Sequence, residues 1–540
     1  MALMPIPAKC LYVLVFAALI FGFESPAHAV ASGPETLLWG NLQPGKYAVG
    51  FRYSFQFDWS RAYDAAYPLS GHGKEAKKAR PILAGIWYPA RAGGSARMAF
   101  RDYLDLRGED PRLADFPARL SKFTRSVVCE DLFEKKEALL PKEEREEFER
   151  LLSSATFAQK DAPPAEGRFP LIIYHHGAGG TYEEDSVLFE FLASHGYVIL
   201  SSAYQDVDSS DVGTADEATT SWRDMEALLR FAGTLPFVDT TRVAAMGHSL
   251  GAQRALGWSF EPGSALDAVV SLDSTIEYNQ LKDHHFFDLN LDPEKEITVP
   301  VFRFASWHEP EMHWPETRFE VLDEVLKFAP NYAAAVSFMR HDDYLSDGVI
   351  GRVLVAAPNA TETRRGYDRV GETVLTFLNA YVTRDDSAMA TLKQFATNKE
   401  KNDETFRWRY VAPAPRAPTG RQIVMLYDSV GRTGTRAILE GLTADLDSGN
   451  FLSAGREFLE RGDSKDAMIM YNWATKIVGR DWRVHQLLAE IHTANGELSE
   501  AADAYRESLA ALAQEAGWKE SVRTVVKAQL EAALNGLPHK

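Results

Sequence analysis

Between residues 46 and 382, short apolar runs alternate with segments whose apolar residues recur every third or fourth position. That alternation predicts an α/β unit, a mostly parallel sheet with helices on both faces. The predicted strands are 47–57, 82–88, 170–174, 197–201, 242–246, 268–272, 299–305 and 333–338, and several are continuously apolar, as in strands buried on both sides. Trp222, Met225, Leu228, Leu229 and Ala232 fall at spacings of three and four, which predicts a helix over 222–235 with one apolar stripe. A helix over 367–381 is expected to close the unit. One stretch, 98–164, interrupts the alternation. It is charged, but Leu132, Phe133, Leu139, Leu140, Phe148, Leu151 and Leu152 recur at helical spacing, and Pro141 stands where a helix would start. The insert reads equally as two helices covering a sheet face or as a cap over a cleft.

The pattern changes after residue 384. Residues 385–420 are polar and punctuated by alanine and proline, most densely at 412–418, and are expected to form a linker. From 421 to 540 an all-α unit is expected. Gly462, Ala467 and Tyr471 recur 34 residues later as Gly496, Ala501 and Tyr505, with Asp463 matched by Glu497. That period resembles two tetratricopeptide helix-turn-helix units. Two units bury a solenoid core poorly, so helices near 422–446 and 522–534 are expected to complete it. Its concave face would hold a peptide or protein partner, or pack on the first unit.

At the other end, Lys9 precedes a 13-residue apolar run at 11–23, and Ala27-His28-Ala29 follows. The run is short for a membrane span of about 20 residues and fits an export signal over 1–29, with a mature start at Val30. Periplasmic or secreted localisation is therefore expected, with residues 30–384 as the first folded unit. Of the two cysteines, Cys10 and Cys129, cleavage would leave one, so no intramolecular disulfide could form. The chain of 540 residues exceeds what one core serves, and its 45% apolar and 25% charged composition excludes disordered and multi-span classes. The net charge of −18 would repel a phosphate backbone, which argues against a nucleic acid partner.

Candidate chemistry centres on Gly247-His248-Ser249-Leu250-Gly251, preceded by a predicted strand and followed by a helix-compatible segment. A serine on a sharp strand-to-helix turn between glycines is the arrangement that presents a nucleophile. Serine is a weak nucleophile at neutral pH and needs a base, with an acid and then a histidine expected further along the chain. Of the 14 histidines, His341 alone directly follows the last predicted strand, whereas His284, His285, His308 and His313 precede it. His341 is therefore the expected base. Asp273, ending the strand after the serine turn, is the expected acid, with Glu309 and Glu311 as alternatives. The loop His175-His176-Gly177-Ala178-Gly179-Gly180 can aim amides at a developing oxyanion, so Ala178 N–H and Leu250 N–H are the expected donors. Adjacent histidines rarely face one ion, so no metal is expected, and acyl transfer by these groups requires no cofactor.

These residues resemble the α/β-hydrolase superfamily, and within it the platelet-activating-factor acetylhydrolase and dienelactone-hydrolase-like group. The resemblance covers about 46–381. It rests on Arg80-Pro81, Ile86 to Ala90, His176-Gly177-Ala178, the segment 192–198, the serine turn, Leu272-Asp273 and His341. It implies a serine carboxylic-ester hydrolase, an acid after the strand following the serine turn as at Asp273, and a short-acyl or phospholipid-like ester substrate. The insert and the helical repeat are not part of the acetylhydrolase pattern. The rival expectation is an inactive hydrolase-fold scaffold whose repeat unit binds a protein.

Overall fold

A computed structural model of the chain describes residues 38–61, 79–93, 96–113, 115–204, 215–259, 264–274, 297–306, 326–354, 357–397, 406–414, 417–442, 446–515 and 520–538. The expected export signal, Glu309 and Glu311 lie outside the described residues. The chain divides into two compact units between Ala412 and Pro413.

The first unit is built on an 11-stranded sheet. Its strands are β1 (Ala48–Asp58), β2 (Arg80–Ala90), β3 (Arg97–Ala99), β4 (Ala155–Lys160), β5 (Phe169–His175), β6 (Val198–Ser201), β7 (Val238–His248), β8 (Ala268–Leu272), β9 (Val301–Ser306), β10 (Asn331–Val336) and β11 (Phe406–Val411). They lie in the order β11-β10-β9-β8-β7-β5-β6-β2-β1-β4-β3. The run from β10 to β6 is parallel, while β2 and β11 pair antiparallel on either side of it. All carboxyl ends of the parallel strands therefore share one edge. The chain passes from β5 to β6 on one side and returns to β7 on the other, and such a reversal leaves a crevice at that edge.

Both faces of the sheet are covered, and the period-2 alternation of each strand divides its side chains between two cores. On β5, Ile172 and Tyr174 join the cluster under helices Ser186–Ser194 and Ala360–Tyr381, while Leu171 and Ile173 join the cluster under Ala215–Ala232 and Leu250–Trp258. Continuously apolar strands arise because neither face meets water.

Two sequence expectations change here. The linker expected at 385–420 is largely structured, with helix Asp386–Thr397 followed by β11, whose Phe406, Trp408 and Tyr410 pack against the core. The alternation in Phe-Arg-Trp-Arg-Tyr-Val outweighs the surrounding alanine and proline, and pairing with β10 satisfies its backbone. The insert, in turn, does more than cover a face, because its β3 and β4 extend the sheet beyond β1. Its helices Phe116–Phe133 and Lys142–Leu152 bury Phe148, Leu151 and Leu152 at the expected spacing, whereas Leu139 stands exposed in a 3-10 turn.

Glu190, on helix Ser186–Ser194, fastens the insert to the body. Its carboxyl group accepts from Trp39 Nε1 (2.5 Å), Tyr103 Oη (2.5 Å), Phe157 N (3.0 Å) and Ala158 N (3.3 Å). Burial pushes its pKa up, against the pull of those donors.

The second unit consists of helices Gly420–Glu440, Ser448–Glu460, Ser464–Ile477, Trp482–Ala494, Leu498–Gln514 and Glu520–Asn535. The pairs starting at Ser448 and Trp482 repeat at 34 residues. Asp447 and Asp481 cap equivalent helices, and Gly462 (φ +79°) and Gly496 (φ +75°) take the left-handed conformation after equivalent ones. Ala467 and Ala501 are fully buried. Gly455 lets Leu487 approach so closely that a Cβ would lie 2.4 Å from it.

Replacing Glu190 by Ala would leave four donors without their acceptor, and each buried unsatisfied group costs about 1–3 kcal/mol. Partial access of water reduces that sum, so urea unfolding is expected to show a loss on the order of 3 kcal/mol.

Candidate active site

The serine turn sits where the crevice opens. β7 ends at His248, and helix Leu250–Trp258 begins immediately after Ser249, leaving one residue to reverse the chain. Ser249 does so at φ +52°, ψ −118°, a strained conformation for a non-glycine residue. Both flanking glycines are sterically required. A Cβ on Gly247 would lie 2.4 Å from the Gly251 backbone, and one on Gly251 would lie 2.0 Å from the His175 carbonyl oxygen. The turn is tied sideways as well, since Ser249 N donates to Leu272 O at 3.0 Å.

That bond brings the serine next to Asp273, which ends β8 at φ +45° and is fully buried. Its Oδ1 accepts from Ser306 N (2.7 Å), and its Oδ2 accepts from Ser306 Oγ (2.6 Å) and pairs with His341 Nδ1 (2.7 Å). Burial raises the Asp273 pKa, but the His341 and Ser306 donors outweigh it and the net shift is downward, so the group is a carboxylate. His341 opens a 3-10 turn (His341–Tyr344) after β10. Burial depresses its pKa, yet the Asp273 bond and charge prevail and hold it above the ordinary 6.5. Asp273 thus has a partner that fixes the tautomer, with the proton on Nδ1 and Nε2 free for chemistry. The His341 side chain is 35% exposed, which leaves the ring reachable from solvent.

His248 completes the arrangement from within the serine turn. Its ring lies 4.5 Å from that of His341, and its Nε2 contacts His341 O at 2.9 Å, where only an N–H can donate. Burial, followed by the neighbouring His341, pushes its pKa down to about 3, so it stays neutral and serves as a donor that holds the His341 backbone. Among the described residues, the Ser249 hydroxyl makes no hydrogen bond to His341; in ligand-free sites such bonds are often long and tighten with substrate.

The glycine loop after β5 faces the serine. A Cβ on Gly177 would lie 3.4 Å from Ser249 Cβ, and Gly180 N closes the loop onto Gly177 O at 3.1 Å. Ala178 is exposed at its tip. Among the described residues, neither the Ala178 nor the Leu250 amide donates to a protein acceptor. His175 and His176 are occupied by protein oxygens: His175 contacts Ser221 Oγ (3.0 Å) and His176 O, and His176 contacts Ala203 O (2.5 Å) and Gly177 O. Among the described residues, no cluster of three or more His, Cys, Asp or Glu is arranged to hold a metal ion. Beside the loop, Leu83, Leu120, Phe123, Thr181 and Ala203 border a narrow recess, to which the insert helix Phe116–Phe133 supplies Leu120 and Phe123.

Sequence reasoning passed over Ser306 and the positioning role of His248. Ser306 ends β9 beside β8, so the register that pairs Leu272 with Phe304 already carries it to the Asp273 carboxyl. His248 was hidden inside the serine motif.

Residues 155–276 match the Chlorophyllase family model. That segment runs from β4 to just beyond β8 and includes Ala178, Ser249 and Asp273, but not His341. The sheet order and the serine turn give the first unit an α/β-hydrolase-like fold. A ferulic acid esterase from Streptomyces cinnamoneus is a structural relative at 16% identity and a TM-score of 0.45, covering 64% of this chain and 93% of its own. No curated protein matches the chain at a significant level.

The imidazole titrations test this geometry without reference to activity. By NMR, the His341 ring is expected to titrate above 6.5 and His248 near 3. Asp273→Asn removes the opposing charge, so the His341 midpoint is expected to fall; an unchanged midpoint would show that the carboxylate does not govern the ring.

Proposed function

We propose that the first unit is an exported serine carboxylic-ester hydrolase. Ser249 is the nucleophile, His341 the general base and acid, Asp273 its orienting carboxylate, and the amides of Ala178 and Leu250 the oxyanion donors. The observation that carries this reading is the 2.7 Å bond between His341 Nδ1 and Asp273 Oδ2, formed at the same sheet edge as the strained Ser249 turn.

Ser249 Oγ attacks the ester carbonyl carbon while its proton passes to His341 Nε2. The carbonyl π electrons move onto oxygen, which accepts from the two amides. The intermediate then re-forms the carbonyl and breaks the bond to the alcohol oxygen, which leaves with the proton from His341. Water repeats the sequence on the acyl-enzyme, and the acid is released with Ser249 restored. Asp273 stays ionised throughout, stabilising the imidazolium. Neither a metal nor a cofactor takes part in these steps.

The substrate proposed from the acetylhydrolase resemblance is a small-molecule or lipid-like ester with a short acyl group. Residues 1–29 would direct export. The helical unit, with its 34-residue period, is proposed as a tetratricopeptide-like surface for a peptide or protein partner.

A fluorophosphonate probe tests the assignment. The wild type is expected to be labelled and Ser249→Ala not; equal labelling of both, or of neither, would reject Ser249 as the nucleophile. Because His341 must be unprotonated to act as base, kcat/KM on a 4-nitrophenyl ester is expected to rise with pH through a midpoint above 6.5. A flat profile across that range would contradict the assigned base.

A further inference from the structure

The glycine loop and the segment carrying His341 come from distant parts of the chain, and one residue touches both. Glu184, 2% exposed, lies between β5 and helix Ser186–Ser194. Its Oε1 accepts from Gly177 N at 3.1 Å and from Tyr174 Oη at 2.7 Å, and its Oε2 accepts from Thr181 N at 3.4 Å. The carboxyl group therefore holds both ends of the loop that displays Ala178. The fit is close: a Cβ on Gly180 would lie 2.0 Å from Glu184 Oε2, so a glycine is required there for the carboxyl to reach its donors.

The backbone of the same residue reaches the other way. Glu184 O accepts from Ser346 Oγ at 2.9 Å and from Asp347 N at 3.4 Å, at the start of the helix that follows the His341 turn. Its neighbour reinforces the tie, since Asp185 Oδ1 accepts from Ser346 N (3.1 Å) and from Tyr367 Oη (2.6 Å). Burial raises the Glu184 pKa to about 7, so the carboxyl group is not held as a full charge beside the loop. Here it supplies acceptors for amides that the loop's sharp course leaves without backbone partners.

We propose that Glu184 is a positioning residue for ester hydrolysis, fixing the Ala178 amide relative to His341 by bonding the glycine loop through its carboxyl and the His341 segment through its carbonyl. The inference rests on the esterase reading above and adds to it a residue that touches neither substrate nor the reacting atoms. Loss of one oxyanion donor costs about 100- to 1,000-fold in kcat, and small misplacements can cost about 100-fold. Glu184 should therefore act on kcat and leave ground-state binding nearly untouched.

The test is steady-state hydrolysis of a 4-nitrophenyl ester by the full chain, with kcat expressed per site titrated by a fluorophosphonate so that misfolded protein is not counted. Glu184→Ala is expected to lower kcat about 100-fold with KM within about threefold of wild type. Glu184→Gln, which keeps one oxygen for the Gly177 amide, is expected to recover to within about tenfold of wild type. A folded Glu184→Ala enzyme with wild-type kcat per site, or a loss confined to KM, would overturn the proposal. If Glu184→Ala does not fold, Ser346→Ala decides: removing the Ser346 Oγ bond, which leaves only the longer Asp347 N bond to the carbonyl, is expected to lower kcat several-fold at constant KM, and an unchanged kcat would overturn the proposal. A wild type that neither turns over esters nor takes the probe would refute the esterase reading itself, whereas an active wild type with indifferent variants refutes only the role of Glu184.

Discussion

The first unit depends on a charge-assisted hydrogen bond formed between the ends of two non-adjacent strands. Asp273 belongs to β8 and His341 follows β10, and the intervening β9 supplies Ser306, which fixes the carboxylate from its other side. Such a bond exists only if three parallel strands are in one register. The pairs Leu272–Phe304 and Val336–Ser306 provide that register. The apolar faces of the sheet, buried on both sides, set it in turn, because a slip of one residue would exchange the two cores. Packing on the scale of the whole sheet is thus converted into the placement of one proton on one ring nitrogen.

The serine turn shows the same conversion in steric form. Its strain persists because the surrounding backbone over-determines it: Gly251 lies against the His175 carbonyl, and Ser249 N is fixed to Leu272 O. The glycines are therefore structural preconditions for the serine's strained conformation. This fold holds its site on strand ends and short turns, and leaves the neighbouring surface to the insert and its recess.

Much of this could be read from the residues alone. Eight strands, the two flanking helices and the convergence of Asp273 and His341 followed from apolar runs and chain order, because buried parallel strands carry an unmistakable hydrophobic signature. The short edge strands did not. β3 has three residues and β4 lies half exposed, so neither has enough apolar pattern to stand out, and β11 was masked by the alanine and proline around it. Ser306, His248 and Glu184 were illegible for another reason. Each acts through a backbone amide, a backbone carbonyl or a second side chain far away in sequence, and a sequence shows a hydrogen-bonding group but not its partner. In the helical unit the repeat was visible because caps and small residues recur at a fixed interval, a local signal that needs no tertiary contact.

The central claim is that the strand ends assemble one acyl-transfer site around Ser249. A crystal structure of the covalent adduct formed with a fluorophosphonate tests it most directly. The account predicts phosphorus bonded to Ser249 Oγ, its oxygen within hydrogen-bonding distance of both the Ala178 and Leu250 amides, and His341 still paired with Asp273. An adduct whose oxygen faces away from those amides, or a His341 ring parted from Asp273, would contradict it.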